Sequence, residues 1–233
     1  MMGDNASPIK EHSEILDSST ILQKVFAMMG TGLLVTALTS FIVFSVPAFL
    51  VFALQTYTVW IIAELVLVVV LSLNLRKMGK GTCTLFFYIY AIVNGITLSS
   101  IFLVYELGSI ASTFFITSAM FFAISFYAKT TKKDLSSLGS FCLMGLIGLI
   151  IAGIVNIFIM NSMLDFIISA VGIVLFIGIT AYDIQKIKTI SAEAEFSNED
   201  TSAQIVVWCA LDIYLDFINI FLKLLRFFGK RRD

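Results

Sequence analysis

Charged residues and proline are scarce in this sequence, and both shortages narrow the class of protein. Only 13% of the 233 residues are charged, whereas an ordinary soluble domain has about 25%. Proline occurs twice, which together with the low charge excludes collagen-like, low-complexity and disordered chains. The remaining composition, 59% hydrophobic with 22 phenylalanines, predicts a polytopic helical membrane protein.

Histidine and cysteine are also rare, which limits the chemistry open to the chain. His12 is the single histidine and lies in the polar N-terminal stretch, so histidine-based catalysis, haem ligation and a zinc site within the membrane are excluded. Cys83, Cys142 and Cys209 fall in or beside apolar segments, and we interpret them as packing residues rather than disulfides. We therefore expect that no cofactor is required.

Apolar runs of about 20 residues divide the chain into seven predicted transmembrane helices. The stretch 1–21 is acidic, which is the wrong charge for a signal peptide, and is predicted to be a polar cytoplasmic tail. The predicted organisation is this tail, a seven-helix transmembrane domain over 22–229, and a basic C-terminal tail over 230–233. The predicted helices lie near 23–45, 56–75, 83–104, 110–128, 138–160, 164–188 and 204–228.

Lysine and arginine cluster on alternate connections between the predicted helices. The loops between these clusters contain neither residue, so the positive-inside rule predicts a cytoplasmic N terminus. A complete seventh span would carry the basic tail to the opposite side, and a re-entrant last segment is the alternative. The length of 204–228 favours a full span. The clusters are Arg76, Lys77 and Lys80, then Lys129, Lys132 and Lys133, then Lys186 and Lys188.

Polar residues recur along one face of the last predicted helix. They follow the spacing i, i+4, i+7, i+11 and i+14, which confines them to an arc of roughly 80°. Because a charge facing lipid costs roughly 2.5 to 3.5 kcal/mol, this face must point inward, and the helix is predicted to be central. A ladder of ion pairs that only positions the helix is the alternative. The residues are Asp212, Asp216, Asn219, Lys223 and Arg226.

Asp212 and Asp216 are neighbouring carboxyl groups on that face. In a medium of low dielectric constant both are not readily ionised, so one is expected to hold a proton near neutral pH and the pair to respond to protons or cations. Asp183 near the end of the sixth helix is predicted to share the cytoplasmic half of the membrane with them. A pairing of Asp183 with Arg76 or Lys186 is the structural alternative. Clustered carboxylates suit Ca²⁺.

Glu64 lies near mid-membrane in the second helix and has no obvious partner on its own helix. We expect it to pair with Lys223 or Arg226. Three polar residues of the third helix could line an interior path, although hydrogen bonds between helices are the favoured interpretation. These residues are Tyr90, Asn94 and Thr97.

Four separated strings, GITLS (95–99), TKKDLSSLGSF (131–141), AYDIQKIK (181–188) and YLDFINIFLKLLRFFG (214–229), occur in this order. Over roughly 22–229 the chain resembles the transmembrane Bax inhibitor motif family, also called the Bax inhibitor-one family, and particularly its bacterial branch. The resemblance implies a seven-helix bundle with the last helix in the centre. It also implies a Ca²⁺ leak that pH gates through a pair of aspartates.

Carried over to this sequence, the resemblance makes Asp183 and Asp216 the aspartate pair and candidate Ca²⁺ ligands. Arg76 matches the basic latch that closes the second helix, while Glu64 and Arg226 match acidic and basic positions of the family. Asp212 departs from the pattern of the bacterial branch, in which many members have a serine or another small residue at this position. The resemblance therefore implies a site of three carboxylates in this chain. The resemblance to the bacterial branch implies a location in the plasma membrane.

The leading functional hypothesis is a pH-sensitive calcium leak channel, in which protonation of Asp183 and Asp216 alters their hold on Arg76 and opens a path. The alternative is a regulator of cell death or stress that binds other membrane proteins, with structural acids. An intramembrane aspartyl protease is a remote third hypothesis, because the last helix lacks a GxGD pattern. We expect a protein that is not an enzyme and whose partners are the lipid bilayer, Ca²⁺, protons and membrane proteins, without nucleic acid.

Overall fold

A computed structural model of the chain describes residues 18–74, 77–193 and 199–232. Within these ranges the chain is all-α, and seven helical segments are long and apolar enough to cross a membrane. The predicted fold class is therefore confirmed. The helices in the described residues are α1 (Ser18–Ser45), α2 (Pro47–Gln55), α3 (Tyr57–Asn74), α4 (Lys80–Leu98), α5 (Ile101–Val104), α6 (Leu107–Thr130), α7 (Ser136–Ile159), α8 (Ser162–Glu193) and α9 (Glu199–Phe228).

The helix α9 lies at the centre of the bundle. It contacts α1, α4, α6 and α8, and a larger share of it is buried than of any other spanning helix in the described residues. Ile213, Tyr214 and Ile220 on this helix are fully enclosed. The predicted central position of the last helix is thus confirmed, and its residues reach every one of the four inner helices.

The helices α3 and α7 form the outside of the bundle. The helix α3 packs on α4 and the helix α7 packs on α8, and their other faces carry large apolar side chains. Leu73 on α3 is 72% exposed and Phe158 on α7 is 82% exposed. Apolar surfaces of this extent suit contact with hydrocarbon rather than water, as expected for a multi-pass membrane protein.

The helices α1 and α4 approach each other closely at Gly95. A Cβ atom at this position would lie 2.7 Å from the Thr36 carbonyl oxygen and from Thr39 Cβ. Ser40 Oγ donates to the Gly95 carbonyl at 2.7 Å, and the Thr36 hydroxyl lies 2.9 Å from the Ala91 carbonyl oxygen. Because lipid provides no hydrophobic drive for helix association, small residues and hydrogen bonds of this kind hold such an interface together.

Two local features differ from the sequence prediction. The segment Pro47–Gln55 forms the short helix α2, which is absent from the predicted helices. Proline suits the first position of a helix, where its missing N–H is not needed. The third span is interrupted after Leu98, where Ser99 Oγ and Ser100 Oγ donate to carbonyls of the preceding turn at 2.6 and 3.0 Å, a pattern that bends helices.

The C-terminal residues 229–232 are attached to the connection between α5 and α6. Glu106 N donates to the Lys230 carbonyl at 3.0 Å, and Arg232 N donates to the Val104 carbonyl at 2.9 Å. The Lys230 ammonium lies 2.8 Å from the Glu106 carboxylate. The helix α9 therefore runs the full length of the bundle and ends at the face opposite the start of α1, as the full-span interpretation requires.

Candidate functional site

The polar face of α9 lies against α8 along most of the length of both helices. Consecutive spans run antiparallel, so residues further along α9 meet earlier residues of α8. The stripe predicted from sequence thus faces another helix rather than lipid. The pairs are Asp212 with Lys186, Asp216 with Thr180, Lys223 with Gly172 and Arg226 with Asp165.

Three carboxyl groups and one ammonium form a group that we call the carboxylate site: Asp183, Asp212, Asp216 and Lys186. Asp183 lies within electrostatic range of both aspartates of α9. Lys186 Nζ is 4.0 Å from Asp212 Oδ2 and 4.4 Å from the centroid of the Trp208 ring. Lys186 therefore lies beside a group of three acids, which repel one another when all three are ionised.

Asp216 is the most enclosed member of the carboxylate site. Its side chain is 5% exposed, and its Oδ2 has no hydrogen-bond partner among the described residues. Thr180 is its hydrogen-bonding neighbour on α8, but the Thr180 hydroxyl donates to the Phe176 carbonyl at 2.7 Å. Because a hydroxyl has a single proton, Thr180 can donate to an Asp216 carboxylate only by giving up that bond.

The depth of the α9 acids differs from the expectation. At 1.5 Å per residue, Asp216 falls about 2 Å from the middle of the span Thr201–Phe228. Asp183 lies about 10 Å from the middle of Ser162–Ser191, toward the end where α1 begins. The prediction that all three acids share the cytoplasmic half was too shallow for Asp216, because α9 begins at Glu199, several residues before the predicted start.

Lys186 lies near Asp183, as the structural alternative predicted, but its contact with Asp212 was not predicted from the sequence. Arg76, the predicted latch, lies outside the described residues, so its role stays a prediction. Lys186 had been assigned to the basic cluster at the helix end and to a pairing with Asp183 alone. Its spacing of three residues from Asp183 was the available signal, but the contact with Asp212 comes from α9 and is invisible in a local pattern.

Glu64 has a different partner from the one predicted. Asn94 Nδ2 on α4 donates to Glu64 Oε1 at 3.2 Å, and Thr97 is a second hydrogen-bonding neighbour. The expected pairing with Lys223 or Arg226 is wrong, because α3 packs on the outside of α4 and those residues face α8 on the other side of the bundle. The hydrogen-bonding interpretation of the polar residues on α4 holds for Asn94.

The same asparagine joins Glu64 to the centre of the bundle. The Tyr214 hydroxyl on α9 donates to Asn94 Oδ1 at 3.0 Å and lies 2.6 Å from the Thr36 hydroxyl on α1, whose one proton goes either to Tyr214 or to a backbone carbonyl. We call Thr36, Tyr214, Asn94 and Glu64 the mid-membrane network. It links α1, α9, α4 and α3, and it occupies a different face of α9 from the carboxylate site.

At the far end of the stripe, Arg226 forms an ion pair with Asp165 near the start of α8. No group of three or more histidine, cysteine or acidic side chains in residues 18–74, 77–193 and 199–232 is placed to hold a metal ion together. Cys83, Cys142 and Cys209 are buried, in agreement with the prediction that they are packing residues.

Comparison with known protein families identifies the family of the chain. The family model described as "Inhibitor of apoptosis-promoting Bax1" matches residues 18–233. The chain belongs to this Bax inhibitor family. The resemblance that the four sequence strings indicate is therefore confirmed. The seven helices long enough to cross a membrane agree with a multi-pass membrane protein.

Several bacterial relatives match nearly the whole chain. The inner membrane protein YbhL of Escherichia coli K12 is 41% identical over 216 residues, covering 91% of this chain and 92% of the relative. An uncharacterized protein of Borreliella burgdorferi is 40% identical over 234 residues, covering 96% and 97%. YrjE of Lactococcus lactis is 36% identical over 235 residues, covering 98% and 97%.

Proposed function

We propose that this Bax inhibitor family member is a pH-sensitive calcium leak channel whose state depends on protonation of the carboxylate site. The observation that supports it best is the Asp216 carboxyl group. It is buried near the middle of the central helix, has one oxygen without a partner among the described residues, and faces two further acids. A ladder of ion pairs would match each acid with its own cation, whereas Asp216 makes no ion pair with any described residue.

Electrostatic repulsion across the interface of α8 and α9 supplies the mechanism. With Asp183, Asp212 and Asp216 ionised, three negative charges on two helices lie close to one another, in surroundings where charges interact strongly. A proton, a divalent cation or separation of the helices relieves this repulsion. Protonation therefore favours one packing of α8 against α9 and ionisation favours another, which is the requirement for a population shift.

Ca²⁺ is the proposed transported ion, since clustered carboxylate oxygens suit hard cations. Asp183 and Asp216 are the proposed contacts for the ion during passage, and Asp212 extends the pair to three acids. Arg76 is the proposed latch that holds Asp183 in the resting state. We infer no catalytic role for these acids.

We place the chain in the plasma membrane of a bacterium with its N terminus in the cytoplasm. The name of the Escherichia coli relative, an inner membrane protein, supports the location. The concentration of lysine and arginine on the connections at the end where α1 begins supports the orientation. In this orientation Asp183 lies toward the cytoplasm and responds to cytoplasmic pH.

Calcium entry into liposomes tests the proposal. The purified protein is reconstituted with an internal Ca²⁺ dye, and entry is recorded at about pH 6, 7 and 8. The variants are Asp183→Asn, Asp212→Asn and Asp216→Asn, with Asp134→Asn as the matched control. Asp134 is an exposed carboxylate between α6 and α7, so its loss removes the same charge outside the site.

The expected result is a flux that depends on pH in the unmodified protein and in Asp134→Asn. The dependence is expected to vanish in Asp183→Asn or Asp216→Asn, and the Asp212→Asn result decides between two acids and three. Arg76→Gln is expected to raise flux at the pH where the protein is closed. Absence of protein-dependent flux at every pH would contradict the proposal and leave the regulator that binds membrane proteins as the better hypothesis.

A further inference from the structure

Lys223 on α9 is a charged group that the proposed leak does not use. It is half-buried within a spanning helix, and no carboxylate of the described residues lies within ion-pair distance of its ammonium. The nearby acid, Asp165, pairs with Arg226 instead. An ionisable group inside a membrane is costly without a partner, so an unpaired one marks a candidate binding site.

Lys223 lines a cavity of about 590 Å³ between α7, α8 and α9. Its polar lining includes Asn156, Lys223 and the Asp165–Arg226 ion pair. Its apolar lining includes Ile157 of α7, which is 67% exposed. The cavity therefore combines cationic groups with apolar residues that reach the surface of the bundle.

The stem of Lys223 passes over Gly172 on α8. A Cβ atom at this glycine would collide with Lys223 Cδ and Cε. The absence of a side chain at Gly172 thus leaves room for the lysine to lie across α8 and to reach the cavity from the central helix.

The depth of the two cations coincides with the boundary between hydrocarbon and headgroups. The span Thr201–Phe228 has 28 residues, or about 42 Å of helix, close to the thickness of a whole bilayer with its headgroups. Counted from its middle, Lys223 lies about 13 Å out and Arg226 about 17 Å out. The hydrocarbon core ends at about 15 Å, which lies between them.

We propose that this cavity binds the phosphate of an anionic phospholipid, with Lys223 and Arg226 as its cationic contacts and an acyl chain along the exposed apolar residues of α7. Two cations and the single carboxylate of Asp165 leave one positive charge, which a phosphodiester of one negative charge neutralises. A zwitterionic lipid brings its own ammonium and does not. This site lies at the end of α9 away from Asp183 and does not depend on the proposed leak.

Native mass spectrometry of the full-length protein in detergent tests the site. The protein is titrated with dioleoylphosphatidylglycerol or with dioleoylphosphatidylcholine, and bound lipid is counted. The variants are Lys223→Gln, which removes the free cation, and Asn156→Asp, which adds a negative charge to the lining of the cavity and keeps the oxygen that accepts from Asn161 N. Arg231→Gln is the matched control, because Arg231 is an exposed cation at the same end of the molecule but outside the cavity.

The expected result is preferential binding of phosphatidylglycerol, weakened about fivefold in each of the two cavity variants and unchanged in Arg231→Gln. Asn156→Asp keeps the lysine, so it remains informative if Lys223→Gln folds poorly. Equal binding of the two lipids, or unchanged binding in both cavity variants, overturns the proposal. Displacement of the lipid by millimolar glycerol phosphate also overturns it, since the site would then recognise a small free anion.

Discussion

Asp216 and Tyr214 lie two residues apart on α9 and have opposite hydrogen-bonding situations. The Tyr214 hydroxyl has two partners, Thr36 and Asn94, whereas Asp216 Oδ2 has none among the described residues. Two residues along a helix are separated by about 200°, so these side chains point to different neighbours. On the face toward α1 and α4, the Tyr214 hydroxyl is hydrogen-bonded. On the face toward α8, one oxygen of the Asp216 carboxyl group has no hydrogen-bond partner among the described residues.

Replacement of Tyr214 by phenylalanine is expected to destabilise the protein by about 1 kcal/mol, a typical magnitude for a hydrogen bond between membrane helices. The change leaves Asn94 Oδ1 without its donor, while Thr36 retains backbone acceptors at Gly32 and Ala91. Thermal unfolding in detergent measures the effect. Tyr127→Phe is the matched control, because Tyr127 is 49% exposed; an equal loss in both variants would contradict the prediction.

Single residues were predictable from sequence where the signal is local. The i, i+4 spacing of Asp212 and Asp216 and the charge cost of lipid exposure are enough to identify them as inward-facing. The partner of Glu64 was not predictable, since charge alone does not say which helices are neighbours. The partner is the amide of Asn94 on the adjacent helix α4. Because an amide is uncharged, the pattern of charges in the sequence does not identify it as the partner of Glu64.

At the scale of helices, two interfaces of the bundle are built differently. The helices α1 and α4 are in backbone contact through Gly95 and hydroxyl groups, whereas α8 and α9 meet through charged side chains. The hydroxyl groups of Ser40 and Thr36 and the backbone carbonyls that they contact do not ionise near neutral pH. The first interface is therefore expected to stay fixed while the second responds to protons.

Replacement of Gly95 by alanine is expected to reduce stability by about 1 to 3 kcal/mol, the usual cost of overpacking. The new methyl group would lie 2.7 Å from the Thr36 carbonyl oxygen, so α1 and α4 must move apart and weaken their hydrogen bonds. Gly148→Ala on α7 is the control, because nothing lies within 4 Å of its Cβ position. Unfolding in detergent should separate the two variants, and equal stability would refute the close-contact argument.

The start of α7 provides a pH effect outside the membrane. The Ser136 hydroxyl and then the Ser136 backbone N–H hold the pKa of Asp134 below its ordinary value. A carboxyl group of lowered pKa contributes stability above its unfolded pKa and loses that contribution as pH falls through its folded pKa. The contribution is therefore present at pH 7 and disappears well below about pH 4.

The corresponding variant is Asp134→Ala, which is expected to lower the melting temperature at pH 7. Its difference from the unmodified protein should shrink as pH is lowered to about 3. Asp134→Asn keeps an oxygen acceptor for Ser136 without a titrating proton and should be less sensitive to pH. Thermal unfolding across this range tests the sign, and a difference that grows on acidification would contradict it.

The helices themselves were largely predictable, because a span of about 20 apolar residues is a strong and local signal. The short helix α2 was not, since Pro47 indicates both a break and a helix start. The early start of α9 was also missed, because its first turns from Glu199 are polar and resemble a loop. Helix ends that lie outside hydrocarbon do not need apolar residues, which is why composition alone places them too late.

At the scale of the molecule, the two ends of the bundle differ in how the chain enters and leaves. The helix α1 starts at one face, and residues 229–232 are attached to the connection between α5 and α6 at the other. With the proposed orientation, Lys132 lies in the cytoplasm and Arg231 lies outside. The seven spans and the positive-inside pattern together make this the expected topology.

Labelling with a membrane-impermeant maleimide tests the topology. In spheroplasts of a bacterium that expresses the chain, Arg231→Cys is expected to react at once and Lys132→Cys only after lysis. The natural thiols are buried and should react little in the unmodified protein, which serves as the control. Labelling of both positions from the same side would exclude a full seventh span.

The attachment of 229–232 to the α5–α6 connection has a mechanical consequence. A helix that is held at one end and tilts moves most at its far end, so in a tilt α9 acts as a lever about the attachment at Lys230 and Glu106. Asp212 lies 16 residues from Phe228, or about 24 Å along the lever. A tilt of about 5° then moves Asp212 by about 2 Å, the scale of helix shifts that switch packed interfaces, while the clamped end hardly moves.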